Sequence, residues 1–264
     1  MAEQGETVEP FPIRRRGTVD YMRVASTRSV VHGLVEFDVT EAKDRIQARE
    51  ENTGEKLSFT AFLVHCLAQA LEDHPTIQSY RDWRGRLVRF DTVDVMVIVE
   101  TQTDGEQIGV PHVIRGANRR SLRSIHEELR SAQRNPEESR QSGFASLGLR
   151  LPGPVRRLLW RLPQVSPRHW KRIAGTVAVT SVGMFGTGGG WGISPTTYPL
   201  QLTVGGIARK PGIVNEEVVP RDYLSLTVTF DHDVVDGAPA ARFVERLKEL
   251  VEAAHGIDVR DRRR

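Results

Sequence analysis

One short run constrains this chain more than any other: Phe230-Asp231-His232-Asp233-Val234-Val235-Asp236-Gly237-Ala238. The residues before it, Leu224 to Phe230, alternate as a strand does, and a helical apolar stripe begins near Pro239. The run is therefore a tight strand-to-helix loop. It sets His232 and Asp236 four positions apart, a proton carrier and a carboxylate in one rigid setting. A neutral imidazole, with an ordinary pKa of about 6.5, suits taking a proton near neutral pH.

Other periodicities mix strands and helices. Val35, Phe37 and Val39 alternate as a half-buried strand, and 91–100 does the same with Val93, Val95, Val97 and Val99 on one face. The clearest helix covers 58–73: Ser58 can cap it, and Phe59, Phe62, Leu63, Cys66, Leu67, Ala70 and Leu71 form one apolar stripe that His74-Pro75 ends. A second amphipathic helix covers 119–132 through Leu122, Ile125 and Leu129. Strands follow at 176–182, 199–205 and 223–231, and a closing helix at 239–254 buries Phe243, Leu247, Leu250 and Val251, with Gly256 in the capping position. Without strict βαβ alternation or an internal repeat, this predicts an α+β sandwich, not a doubly wound nucleotide fold.

Composition narrows the function classes. A length of 264 residues with 39% hydrophobic content suits one large domain with small appendages. No apolar run nears the ~18 residues that span a bilayer, and residues 1–11 lack a signal-peptide core, so they read as a loose arm on a cytoplasmic chain. The lone Cys66 excludes an intramolecular disulfide or a cysteine zinc cluster, and no metal site is expected. Arginine outnumbers lysine 32 to five; this fits phosphate binding or simple compositional bias. The basic residues are interspersed with acids, and no nucleic-acid module is expected. Residues 133–172 form a basic amphipathic excursion around Pro152-Gly153-Pro154-Val155-Arg156-Arg157-Leu158-Leu159-Trp160-Arg161. It reads first as a surface hairpin packing Leu158, Leu159 and Trp160, and second as a docking site for a partner or an anionic membrane surface. The glycine-rich stretch Gly186–Gly192 is no P-loop, because no Gly-Lys-Ser/Thr follows it. Residues 259–264 read as a solvated basic tail.

The histidine loop resembles the Asp-His-Arg-x-x-Asp-Gly signature of the 2-oxo acid dehydrogenase (dihydrolipoamide) acyltransferases, and the shorter His-x-x-x-Asp-Gly of the chloramphenicol acetyltransferase superfamily. Further landmarks keep the family's order. They are Pro12-Ile13-Arg14-Arg15-Arg16, Phe37-Asp38-Val39-Thr40-Glu41, Ser58-Phe59-Thr60-Ala61-Phe62, Val110-Pro111-His112-Val113-Ile114-Arg115 and Thr180-Ser181-Val182-Gly183-Met184-Phe185-Gly186. The resemblance implies a chloramphenicol acetyltransferase-like mixed-sheet sandwich over 12–258. It also implies a homotrimer whose active sites lie at subunit interfaces, with coenzyme A and the second substrate entering a channel from opposite ends.

It further implies roles. His232 is the general base; Thr180, with Ser181 in reserve, donates to the tetrahedral oxyanion. Ser181, Gly183 and His32 stand near coenzyme A, and Asp236 fixes the loop through an ion pair whose nearest partner is Arg15. Asp233 replaces the family's arginine. Lipoyl and subunit-binding segments are not seen and the chain ends in arginines, so a stand-alone form outside a cage is expected, with no lipoyl group of its own. The expected activity is transfer of an acyl group between coenzyme A and a thiol such as dihydrolipoamide. The alternatives are acyl-CoA-dependent transfer to a small-molecule amine or hydroxyl, and a non-catalytic trimeric scaffold in an acyl-processing complex with 133–172 as its protein contact.

Overall fold

In the computed structural model, which describes residues 7–103, 106–135, 151–181 and 188–259, eight strands are seen among those residues. They are β1 Val30–Asp38, β2 Tyr80–Arg81, β3 Leu87–Val88, β4 Val95–Thr103, β5 Glu106–Ile114, β6 Val177–Ser181, β7 Leu200–Val214 and β8 Glu217–Asp231. The helices are α1 Ile13–Ala25, α2 Thr40–Thr53, α3 Phe59–Asp73, α4 Leu122–Arg134, α5 Gly153–Trp160, α6 Leu162–Val165, α7 Pro167–Ala174 and α8 Gly237–Glu252. Six strands make one sheet in the order β1-β8-β7-β6-β4-β5, while β2 and β3 pair separately. The sheet is mixed: β6 runs parallel to β4 and β7, and the other pairs are antiparallel. The expected α+β architecture is what the chain adopts.

The two sheet faces differ in chemistry. Val177, Val179, Leu200, Leu202, Leu224, Leu226, Val228 and Phe230 join α3, α4 and α8 in one apolar core. Helix α3 begins where expected, with Ser58 Oγ accepting from the Ala61 N–H at 3.3 Å. It is buried nearly all round, His65 and Ala68 included, because α4 and α8 cover both its flanks. Each fully buried Phe62 or Leu67 contributes about 1.5–3 kcal/mol. The opposite face carries hydroxyls and amides: Gln201, Thr203, Ser225, Thr227 and Thr229 are all buried there. A smaller cluster of Tyr80, Trp170, Ala178 and Tyr198 lies on that side.

Several elements depart from expectation. Helix α1 was not foreseen, and α2 buries only Ala42, Ile46 and Arg49, so neither shows an apolar stripe. Strands β7 and β8 run well past 199–205 and 223–231. Pro211, Gly212 and Pro220 look like strand breakers, yet Pro211 faces Pro220 across a hairpin that turns at Asn215 and Glu216 with φ of 51° and 68°. The described part of the excursion holds three short helices, α5, α6 and α7. Trp160 packs, 5.0 Å from Tyr21 and 6.2 Å from Trp170, while Leu158 is 64% exposed among the described residues.

A clasp closes this excursion. Buried Asp94 accepts from Arg115 Nη1 at 3.0 Å, Lys171 Nζ at 2.7 Å and the Gly116 N–H at 2.9 Å. Arg115 also donates to the carbonyls of Lys171 and Arg172 at the end of α7. The chain is thereby fixed against β4 just before β6 begins.

Candidate active site

The loop after β8 is built around Asp231. Its carbonyl accepts the N–H groups of Val234 and Val235, both at 3.0 Å, and its carboxylate accepts the Asp233 N–H at 3.2 Å. Arg28 Nη2 donates to the same carboxylate. Burial pushes the Asp231 carboxyl up, and Arg28 opposes that shift. The His232 N–H donates to the Ser29 carbonyl at 2.7 Å, and buried Val235 pins the far side of the turn to the core. The backbone under His232 is thus held at every step, while its side chain is exposed and has no hydrogen-bond partner among the described residues.

Asp236 is the N-cap residue of α8, exposed, with its carbonyl accepting from Ala240 and its side chain making no capping bond. Among the described residues no ion pair joins it to Arg15. Arg15 sits exposed on α1, and the arginine that reaches the start of the loop is Arg28, which pairs with Asp231. Asp233 lies 3.6 Å from Arg81 of β2, so a neighbouring strand sets a guanidinium beside the substituted position.

Thr180 and Ser181 end β6, both half-buried. Val177 and Val179 face the helices and Ala178 the other side, so alternation places Thr180 on the hydroxyl face and Ser181 on the helix face. Thr180 stands opposite Thr203, which stands opposite Thr227, giving a row of three threonines. His32 on β1 shares the hydroxyl face, its Nδ1 2.9 Å from Thr229 Oγ1. Gly183 lies outside the described residues. The approaching backbone in the glycine-rich stretch meets protein: Gly188 and Gly190 lie against Gly205 and Gly206, with Gly206 N–H donating to the Gly190 carbonyl at 3.1 Å.

Within one chain His232 and Thr180 stand apart. Two strand spacings and the five residues from Thr227 to His232 separate their Cα atoms by on the order of 18–20 Å. Hydrogen-bond reach for a shared reacting atom is about 3 Å. Arg28 was missed from sequence because only the pairing of β1 with β8 brings it to Asp231.

A mixed sheet packed by α3, α4 and α8 on its apolar face gives the chain a chloramphenicol acetyltransferase-like fold. Chloramphenicol acetyltransferase itself aligns with a TM-score of 0.51 at 14% identity, over 94% of this chain and 99% of that one. The chain belongs to the 2-oxoacid dehydrogenases acyltransferase (catalytic domain) family, whose model matches residues 3–142 and 167–257. The lipoamide acyltransferase component of the branched-chain alpha-keto acid dehydrogenase complex of Bacillus subtilis is 24% identical over 229 residues, 83% of this chain and 46% of that protein. Azotobacter vinelandii dihydrolipoamide acetyltransferase aligns with a TM-score of 0.71 at 22% identity, over 95% of this chain and 93% of that one. Its structure is described for the role of a serine, a histidine and an asparagine in the catalytic mechanism. The chain spans about half the length of the curated relatives it matches. Among the described residues no helix is long and apolar enough to cross a membrane, and no group of three or more His, Cys, Asp and Glu could hold a metal.

Proposed function

We propose that this chain is the catalytic module of a coenzyme A-dependent acyltransferase, moving an acyl group between coenzyme A and a thiol such as dihydrolipoamide. Residues 12–258 form that module, and its reaction centre is completed between copies of the chain in a homotrimer. The observation that carries the reading is His232: a rigid loop presents an exposed imidazole that has no partner among the described residues. Its separation from Thr180 supports a composite centre, in which His232 of one copy meets Thr180 of the next. Thr180, His232 and Asp236 are also spaced along the sequence as are the serine, histidine and asparagine of the Azotobacter vinelandii enzyme.

In this reading neutral His232 removes the acceptor thiol proton, and the thiolate attacks the thioester carbonyl carbon. Thr180 Oγ1 donates to the oxyanion that forms. Collapse breaks the bond to the sulfur of coenzyme A, and the imidazolium returns the proton to the leaving thiolate. Asp236 acts on the geometry of the loop, without touching the reacting atoms. A second reading, transfer to a small-molecule amine or hydroxyl, is favoured by one feature: Asp233, paired with Arg81 at 3.6 Å, replaces the family's arginine beside His232.

The test is thiol release from acetyl-CoA and longer acyl-CoAs with dihydrolipoamide as acceptor, for wild type and His232→Ala. Acceptor-dependent release lost in the variant supports the mechanism. Equal release in both refutes the base. Release with amines only selects the second reading.

A further inference from the structure

Away from the histidine loop, α1 and α5 flank an open surface groove of about 490 Å³. That volume falls within the roughly 300–1,000 Å³ of small-molecule sites. Arg16, Asp20 and Arg23 recur at helical spacing on one face of α1, and α5 adds Arg156 and Arg157. Among the described residues of the lining Asp20 is the only acid, and it is 3% exposed. Its carboxylate is engaged from above, 2.7 Å from Arg156 Nε and 3.8 Å from Arg157 Nη1. Arg16 and Arg23 have no acidic partner among the described residues. The concave surface therefore holds four permanent cations against one anion that is already engaged.

Such a set is self-repelling unless an anion joins it, and the planar guanidinium fork matches phosphate oxygens in pairs. Phe11, Val19 and Leu151 give the same groove an apolar wall. The family model's match leaves out residues 143–166, and α5 lies within that gap. We propose that the α1–α5 groove is a binding site for a soluble phosphorylated small molecule. Arg16 and Arg23 grip the phosphate, Arg156 and Arg157 hold the carboxylate of Asp20 out of its way, and the apolar wall takes the remainder of the ligand.

Pyrophosphate is the probe, titrated calorimetrically into the intact protein at ionic strength matched with chloride. Saturable binding is expected. The double variant Arg16→Gln/Arg23→Gln, which breaks no ion pair, should weaken it by at least about tenfold. Arg45→Gln on α2 and His232→Ala should leave it unchanged, so failure here is distinct from failure of the proposed reaction. Absence of saturable binding overturns the inference, as does binding that survives the double variant. Vesicles of phosphatidic acid captured through the same arginines, with pyrophosphate ignored, would also overturn it by making the ligand a lipid headgroup.

Discussion

Arg28 and Asp231 form a buried ion pair that ties the start of β1 to the turn carrying His232, with side chains 10% and 2% exposed. Asp231 does two things at once. Its carbonyl shapes the turn, and its carboxylate anchors that turn to a neighbouring strand.

Removing one member of the pair leaves the other charge buried. Arg28→Ala should therefore destabilise the fold by about 3–5 kcal/mol, read as a lower urea midpoint. The exchange of both residues, Arg28→Met with Asp231→Leu, should restore part of that loss. A cost below about 1 kcal/mol for Arg28→Ala, as for an exposed pair, would show that it does not hold the turn.

A composite reaction centre predicts complementation. Thr180→Val should lower kcat by about 10²–10³ while Thr180→Ser retains most activity. Ser181→Ala should change little, since that side chain points to the helix face. Co-refolded His232→Ala and Thr180→Val chains should regain activity, up to roughly a quarter of wild type at equal mixing, because some interfaces then carry both native residues. Mixtures as inactive as their parts would place both groups in one chain.

Stability should fall on the acid side. Burial, then the stacked His255 ring 5.6 Å away, holds His65 below its ordinary value of 6.5. Burial does the same to His126 against the opposing pull of Glu55. Folded pKa values below the unfolded one mean stability is complete above about 6.5 and drains as pH drops toward the folded values, by at most about 1.4 kcal/mol per pH unit for each group. There is a local reason too: His126 Nδ1 accepts from the Ser58 N–H at 3.0 Å, which an imidazolium cannot do. The Tm of wild type should drop between pH 7 and 5, and His65→Gln/His126→Gln should flatten that slope. An unchanged slope would remove both histidines as the cause.

Gly205 has no room for a side chain. A Cβ there would stand 2.0 Å from the Gly190 carbonyl oxygen and 2.8 Å from that of Ser225. Gly205→Ala should lower stability by about 1–3 kcal/mol and displace the segment that Trp191 Nε1 ties to the Val35 carbonyl at 3.0 Å. Unaltered Tm and unaltered Trp191 fluorescence would show that the segment packs elsewhere.

What sequence disclosed followed from local pattern. Helices α3 and α8 carry continuous stripes and clear ends, and the histidine loop is itself local. Helix α1, with Arg14-Arg15-Arg16-Gly17 in its first turns, owes its place to Asp20 and Tyr21 meeting α5, a contact no periodicity announces. The β7–β8 hairpin was hidden by prolines whose meaning depends on their facing each other. Alternation puts Thr180 and Ser181 on opposite faces of β6, but which face each takes needed the helix side of the sheet. Arg28 and Asp231 are 203 positions apart, beyond any local signal.

The Asp94 clasp gives the fold a form of modularity. Whatever the length or shape of the segment between α4 and α7, Lys171 and Arg115 return the chain to one point on β4 before β6 starts. The entry to β6 is thus set at one fixed point, and what the arginine-lined lobe must preserve is narrow: the fit of Trp160 and Leu162 against the Trp170–Ala178–Tyr198 cluster. Beyond those side chains, the rest of the lobe can be rebuilt.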